Sequence, residues 1–153
     1  MDRRSLGLEG EARAARFLEA RGYRIVARNV RAARVEIDLI ARRGPLLVFV
    51  EVKTRRADRH GLAAEAVDPR KQQRLRRGAL AWLAARPEAA RGVRTRRFDV
   101  VTCLFDPRVG MRSCGRRDGA PGRPTDASDS RNETTPPVDD EAGWSYAHWE
   151  SAF

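Results

Sequence analysis

Lysine is nearly missing from this chain: of 31 basic residues among 153, only Lys53 and Lys71 are lysine and the rest are arginine. Arginine stays charged in any protein environment, whereas lysine can be tuned toward the neutral amine, so the exception at Lys53 reads as chemistry. Cysteine and histidine are as scarce. Cys103 and Cys114 are too few for a disulfide framework, and with His60 and His148 standing apart they lack the spacing of a zinc site. Long apolar runs are missing too. The run Leu46 to Val50 falls far short of the roughly 20 residues that span a bilayer. No apolar stretch follows Met1-Asp2-Arg3-Arg4-Ser5, as a signal peptide would need. These absences predict a soluble cytoplasmic protein with no membrane partner, and the length predicts one domain around a single mixed core.

What the chain has in excess is positive charge, +10 overall. The excess lies in residues 1–105, while residues 106–153 are slightly acidic. A field of that sign suits a polyanion, DNA or RNA, with affinity that falls as salt rises. An arginine-rich solvated surface is the plainer explanation, and charge alone does not choose between them.

The first periodic segment, Leu6 to Arg21, ends at Gly22, a natural helix stop. At about 100° per residue, Glu11 falls inside the arc of Ala14, Ala15 and Leu18, and an inward carboxylate needs a partner or a cation. Three strands follow, Tyr23 to Asn29, Val35 to Ala41 and Leu46 to Thr54. Arg42-Arg43-Gly44-Pro45 reads as the turn of an antiparallel hairpin between the last two. With Ala41 facing Leu46, Glu36 would face Glu51 and Asp38 would face Phe49, all on one sheet face. Asp38 and Glu51 would then be diagonal neighbours roughly 7–8 Å apart, close enough to share a divalent cation, with Lys53 beside them. Acidic residues are disfavoured in strands, so Asp38 within Glu36-Ile37-Asp38-Leu39-Ile40 asks for a reason.

Asp68 as N-cap, Pro69 at the first position and Pro87 beyond the end mark a second helix, about Pro69 to Arg86. Its buried stripe is Leu75, Ala79, Trp82 and Leu83. Lys71 and Arg74, with Arg55 and Arg56 at the end of the preceding strand, could flank the acidic site and hold phosphates. A fourth strand, Arg97 to Phe105, is apolar on both rows apart from Asp99, which reads as structural. Asp106 to Gly143 turns to Gly, Pro, Ser, Thr, Asp and Arg without periodicity, predicting a disordered insertion. The aromatic segment 144–153 is then expected to dock on the core as a strand.

The order Gly7-x-x-Gly10-Glu11, Gly22-Tyr23, Arg28-Asn29, Glu36-Ile37-Asp38-Leu39-Ile40, Val48-Phe49-Val50-Glu51-Val52-Lys53-Thr54-Arg55, Lys71, Arg74-Leu75 and Phe98-Asp99-Val100-Val101 resembles the YraN family of uncharacterised bacterial proteins. His148-x-x-x-Ala152-Phe153 resembles the end of that family. Through the family the chain is similar to the PD-(D/E)xK, restriction-endonuclease-like superfamily, which includes archaeal Holliday-junction resolvases. The resemblance implies an α/β (α+β) fold with an αβββαβ core, its mixed central sheet flanked by helices. It implies a catalytic set of Glu11, Asp38, Glu51 and Lys53, with Asp38, Glu51 and Glu11 holding Mg²⁺ or Mn²⁺; related resolvases form a homodimer, and the sequence leaves open whether this chain does. One departure is Val35, where the family usually has glycine.

Two functions remain open at this point. One is a metal-dependent endonuclease acting on DNA in preference to RNA, on branched or otherwise structured substrates. The other is a non-catalytic nucleic-acid-binding or ribonucleoprotein assembly factor with a vestigial site.

Overall fold

In the computed structural model, residues 2–57, 67–109, 134–139 and 143–153 are described. Helix α1 (Arg3–Glu19) begins where the Asp2 carboxylate accepts from the Ser5 backbone N–H at 2.8 Å. It ends where Gly22, at φ +81°, lets the Tyr23 N–H return to the Leu18 carbonyl. Strands β1 (Arg24–Ala32), β2 (Val35–Arg43) and β3 (Leu46–Arg56) follow, then helix α2 (Pro69–Ala85) and strand β4 (Thr95–Phe105). The αβββαβ order is therefore present as a restriction-endonuclease-like core. Strands β5 (Thr134–Asp139) and β6 (Trp144–Trp149) extend it into a six-stranded mixed sheet, ordered β1-β2-β3-β4-β6-β5.

β3 and β4 run parallel from Leu46 opposite Thr95 to Arg56 opposite Phe105, and α2 lies in the connection between them. Every other pairing is antiparallel. β5 lies inside the stretch whose composition predicts a disordered insertion, and there Thr134 and Thr135 pair with Trp149 and His148. Residues 110–133 and 140–142 of the same stretch, Cys114 among them, lie outside the described residues, as do 58–66 with His60. Among the described residues, no helix is long and apolar enough to cross a membrane.

The sheet separates two cores. On one face, α1 packs Ala14, Ala15, Phe17 and Leu18 against Leu39, Val48, Val50, Val101 and Cys103. On the other, α2 packs Leu75, Ala79, Trp82 and Leu83 against Val35, Ile37, Ile40, Leu47 and Phe49. Two glycines set how closely the helices approach. A Cβ on Gly10 would lie 1.9 Å from Thr54 Oγ1, so the α1 backbone rests directly on β3. A Cβ on Gly78 would lie 3.0 Å from the Val35 Cβ, so the α2 glycine makes room for the valine. Val35 itself needs no left-handed backbone, because Ala33 (φ +49°) and Arg34 (φ +61°) carry the positive φ of the β1–β2 turn.

Candidate active site

The β2–β3 hairpin closes two residues further along than the expected register. Arg43 opposes Leu46, and Ile40, in place of Asp38, opposes Phe49. The turn is Gly44-Pro45 alone, with Gly44 at φ +58° as a two-residue hairpin turn with glycine first requires, and Arg42 and Arg43 belong to the strand. A shift of two preserves the sheet faces. It removes Glu36 from opposite Glu51; Glu36 instead lies exposed, 3.5 Å from Arg31 on β1.

The ladder between β2 and β3 runs only to Leu39 opposite Val50, which leaves Asp38 level with Glu51 just beyond the last pair. Here the Asp38 side chain takes the place of a backbone acceptor: the Val52 N–H donates to Asp38 Oδ2 at 2.7 Å. β2 also loses its alternation at this point. Val35, Ile37 and Ile40 all pack on the α2 side, while Leu39 and Ala41 pack on the α1 side. On β1, Asn29 stands at the level of Asp38, since Arg28 pairs with Leu39 and Val30 with Ile37, and it adopts φ +49°. Asparagine tolerates that left-handed conformation better than most residues. The irregularity is shared by both strands and centred on the acidic residue.

Glu51 follows Leu47 and Phe49 on the α2 face and is buried. Lys71, from the first turn of α2, donates its Nζ to Glu51 Oε1. The two carboxylates open into a cleft of about 400 Å³ lined by Val35, Glu36, Asp38, Glu51, Lys71, Arg74 and Leu75. Burial, reinforced by the Glu51 charge, pushes the Asp38 carboxyl up to about 7 against the pull of the Val52 N–H; Glu11 adds to the rise and Lys71 opposes it.

The structure thus brings Asp38, Glu51, Lys71 and Arg74 together. Lys53 lies two residues past Glu51 in β3, half-buried, at the level of Thr102 on β4. Glu11 opens instead into a separate cavity of about 180 Å³ with Leu8, Ala12, Arg28, Asn29 and Leu39, and reaches Asp38 through its charge. Among the described residues, no three His, Cys, Asp or Glu side chains are gathered closely enough to hold a metal ion. Glu11 is carried by α1, on the opposite side of the sheet from the α2 helix that walls the Asp38–Glu51 cleft. Arg55 and Arg56 are exposed at the end of β3.

Sequence reasoning missed a second polar centre on the α1 face. Asp99, fully buried, accepts from Arg97 Nε at 2.8 Å, Arg97 Nη2 at 2.9 Å and the Ser151 N–H at 3.0 Å, and meets His148 Nε2 at 2.8 Å. Arg97 also donates to Tyr23 Oη and Glu150 Oε2, each at 2.8 Å. These partners run from residue 23 to residue 151 without a local spacing that could announce them. The three donors to Asp99 and its burial give it the structural role its strand position suggested.

A family model described as "Uncharacterised protein family UPF0102" matches residues 10–103. Among curated relatives, a UPF0102 protein of Nocardia farcinica is 50% identical over 106 residues, covering 69% of this chain and 81% of that one. One of Symbiobacterium thermophilum is 54% identical over 101 residues, covering 64% and 80%. A third, of Moorella thermoacetica, is 46% identical over 106 residues, covering 69% and 86%.

Proposed function

Because the chain belongs to the uncharacterised protein family UPF0102, the same family as YraN, and holds two convergent carboxylates under a basic helix, we propose that it is a metal-dependent phosphodiesterase acting on DNA in the cytoplasm. The observation that carries this reading is Asp38. Its carboxyl is raised to about 7 beside Glu51 in a cleft walled by Lys71 and Arg74, a place where a cation would relieve the acid pair and a phosphate would find the wall.

The donor set fits a hard divalent ion. Two carboxylates suit Mg²⁺ or Mn²⁺, which commonly keep several waters and complete their coordination on substrate phosphate. When bound, such an ion supplies charge neutralisation at the phosphoryl oxygens and a more acidic water. Asp38 and Glu51 would hold it, with Asp38 oriented by the Val52 N–H. Lys53 would orient the attacking water and stabilise charge on the pentacovalent phosphorus. Arg74, Arg55 and Arg56 would position the backbone, and Glu11 would add negative potential from across the sheet.

The test is cleavage of branched, nicked and single-stranded DNA with Mg²⁺ or Mn²⁺ by the wild type, Asp38→Ala and Lys53→Ala. Both variants should lose about 100-fold or more in rate. Equal cleavage by all three would sink the assignment. One observation favours the binding-factor reading: Lys71 already pairs with Glu51, and Asp38 can take a proton, so the acid pair is self-sufficient without a metal. That reading predicts salt-sensitive DNA binding, with no divalent-ion heat in calorimetry that depends on Asp38 and Glu51.

A further inference from the structure

The cation that sits on Glu51 in this structure belongs to the protein itself. The start of α2 fixes where Lys71 emerges: Asp68 caps the Arg70 N–H at 3.1 Å, and Gln72 Nε2 donates to the Val67 carbonyl at 2.8 Å. The two partners of the ion pair are unequal. The Glu51 side chain is 9% exposed and set in a strand, whereas that of Lys71 is 45% exposed on a four-carbon stem. Glu51 is the fixed partner and Lys71 the movable one. A divalent ion held by Asp38 and Glu51 would share the Glu51 carboxylate with the ammonium, and two cations on one carboxylate repel, so each weakens the hold of the other. Arg74, one turn along α2, lines the same cleft, so a phosphate arriving there offers Lys71 an alternative anion.

We propose that Lys71 is a resident competitor of the divalent cation at Glu51, and that a nucleic-acid phosphate draws it away, so that metal and phosphodiester bind cooperatively. The inference rests on the phosphodiesterase reading of the cleft and adds an order to it: the free protein holds the metal weakly, and substrate completes the site. It also accounts for lysine at this position in a chain that otherwise uses arginine. A guanidinium would grip the carboxylate through two parallel hydrogen bonds, whereas an ammonium is a point charge that exchanges partners readily.

The experiment is Mn²⁺ titration of the full chain by calorimetry, for wild type, Lys71→Met, Lys71→Gln and Lys71→Arg, with circular dichroism melts to verify folding. Lys71→Met and Lys71→Gln should bind Mn²⁺ at least about fivefold more tightly than the wild type, the low end of typical coupling between sites, and Lys71→Arg no more tightly. A second measurement follows a short DNA duplex by fluorescence anisotropy. In EDTA, Lys71→Met should match the wild type within about twofold, because Lys71 is engaged by Glu51; in Ca²⁺ it should bind DNA about fivefold more weakly, because the displaced lysine has moved to phosphate. Equal Mn²⁺ affinity in wild type and Lys71→Met would overturn the role of Lys71 and leave the metal site standing. Equal loss of DNA affinity in EDTA and in Ca²⁺ would make Lys71 a plain phosphate contact and overturn the exchange. If no form binds a divalent ion, the metal-site reading falls and the competitor falls with it.

Discussion

Asp38 concentrates the electrostatics of the cleft in one side chain. Its carboxyl titrates at about 7 in the folded protein and near 3.8 in an unfolded chain, so the folded state binds a proton that the unfolded state has released. The stabilising contribution is therefore complete below about pH 4 and disappears as pH rises through about 7. Asp38→Asn keeps an acceptor for the Val52 N–H and removes the charge. Urea denaturation at pH 8 should find it more stable than the wild type by about 1–3 kcal/mol, with the gap closing at pH 4–5. A gap of the same size at both pH values would rule out the charge as its cause. Asp38 and Glu51 were legible in the sequence because carboxylates inside apolar strands stand out against the pattern. Lys71 was legible as a basic residue flanking the acidic site, but its pairing with Glu51 was not, since an ion pair between an α2 residue and a β3 residue leaves no spacing to read.

At the level of elements, the helices and strands of the core were readable from caps, turns and periodicity, and the faces of β3 followed from alternation. The hairpin register was not. Four turn-like residues, Arg42 to Pro45, suggested a four-residue turn, yet Arg42 and Arg43 pair with Leu47 and Leu46 as strand, and Arg42 Nε donates to the Gly44 carbonyl of the remaining two-residue turn at 2.8 Å. The kink at Asp38 and Asn29 escaped for a related reason: alternation tests assume an unbroken strand. Close approach of α1 to β3 at Gly10 makes a sharper prediction. Gly10→Ala would drive its methyl into Thr54, whose Oγ1, Cγ2 and Cβ all lie under 3 Å from the new atom. Backbone has to move, so the cost should be about 1–3 kcal/mol by thermal or chemical melting, as overpacked cores show. Trimming Thr54 to alanine in the same chain should recover only part of it, because the Thr54 Cβ itself remains 2.8 Å away.

Across the whole molecule, the sheet carries two polar centres on opposite faces and on different strands, an acidic cleft on β2 and β3 under α2 and a buried Arg97–Asp99–His148 cluster on β4 and β6 under α1. The second joins parts of the chain far apart in sequence, from Tyr23 to Glu150. His148→Ala leaves Asp99 with Arg97 and Ser151 but opens space beside Phe17 and Tyr23, whose rings meet the imidazole edge-on at 6.3 and 6.2 Å. It should cost about 2–4 kcal/mol in chemical denaturation at pH 7, through a lost hydrogen bond and an unfilled void. A loss under 0.5 kcal/mol, about what a surface substitution costs, would mean that the imidazole is not holding the strand. β6 reaches β4 only after residues 106–143, yet it pairs with β4 from Val100 opposite Trp149 to Phe105 opposite Trp144. That pairing closes a long loop in the chain, and closure entropy grows only with the logarithm of loop length, about 0.6 kcal/mol for each doubling. Length between the fourth strand and β5 is thus nearly neutral to stability, leaving the chain before Thr134 open to growth or shortening while β5, β6 and both polar centres stay in place.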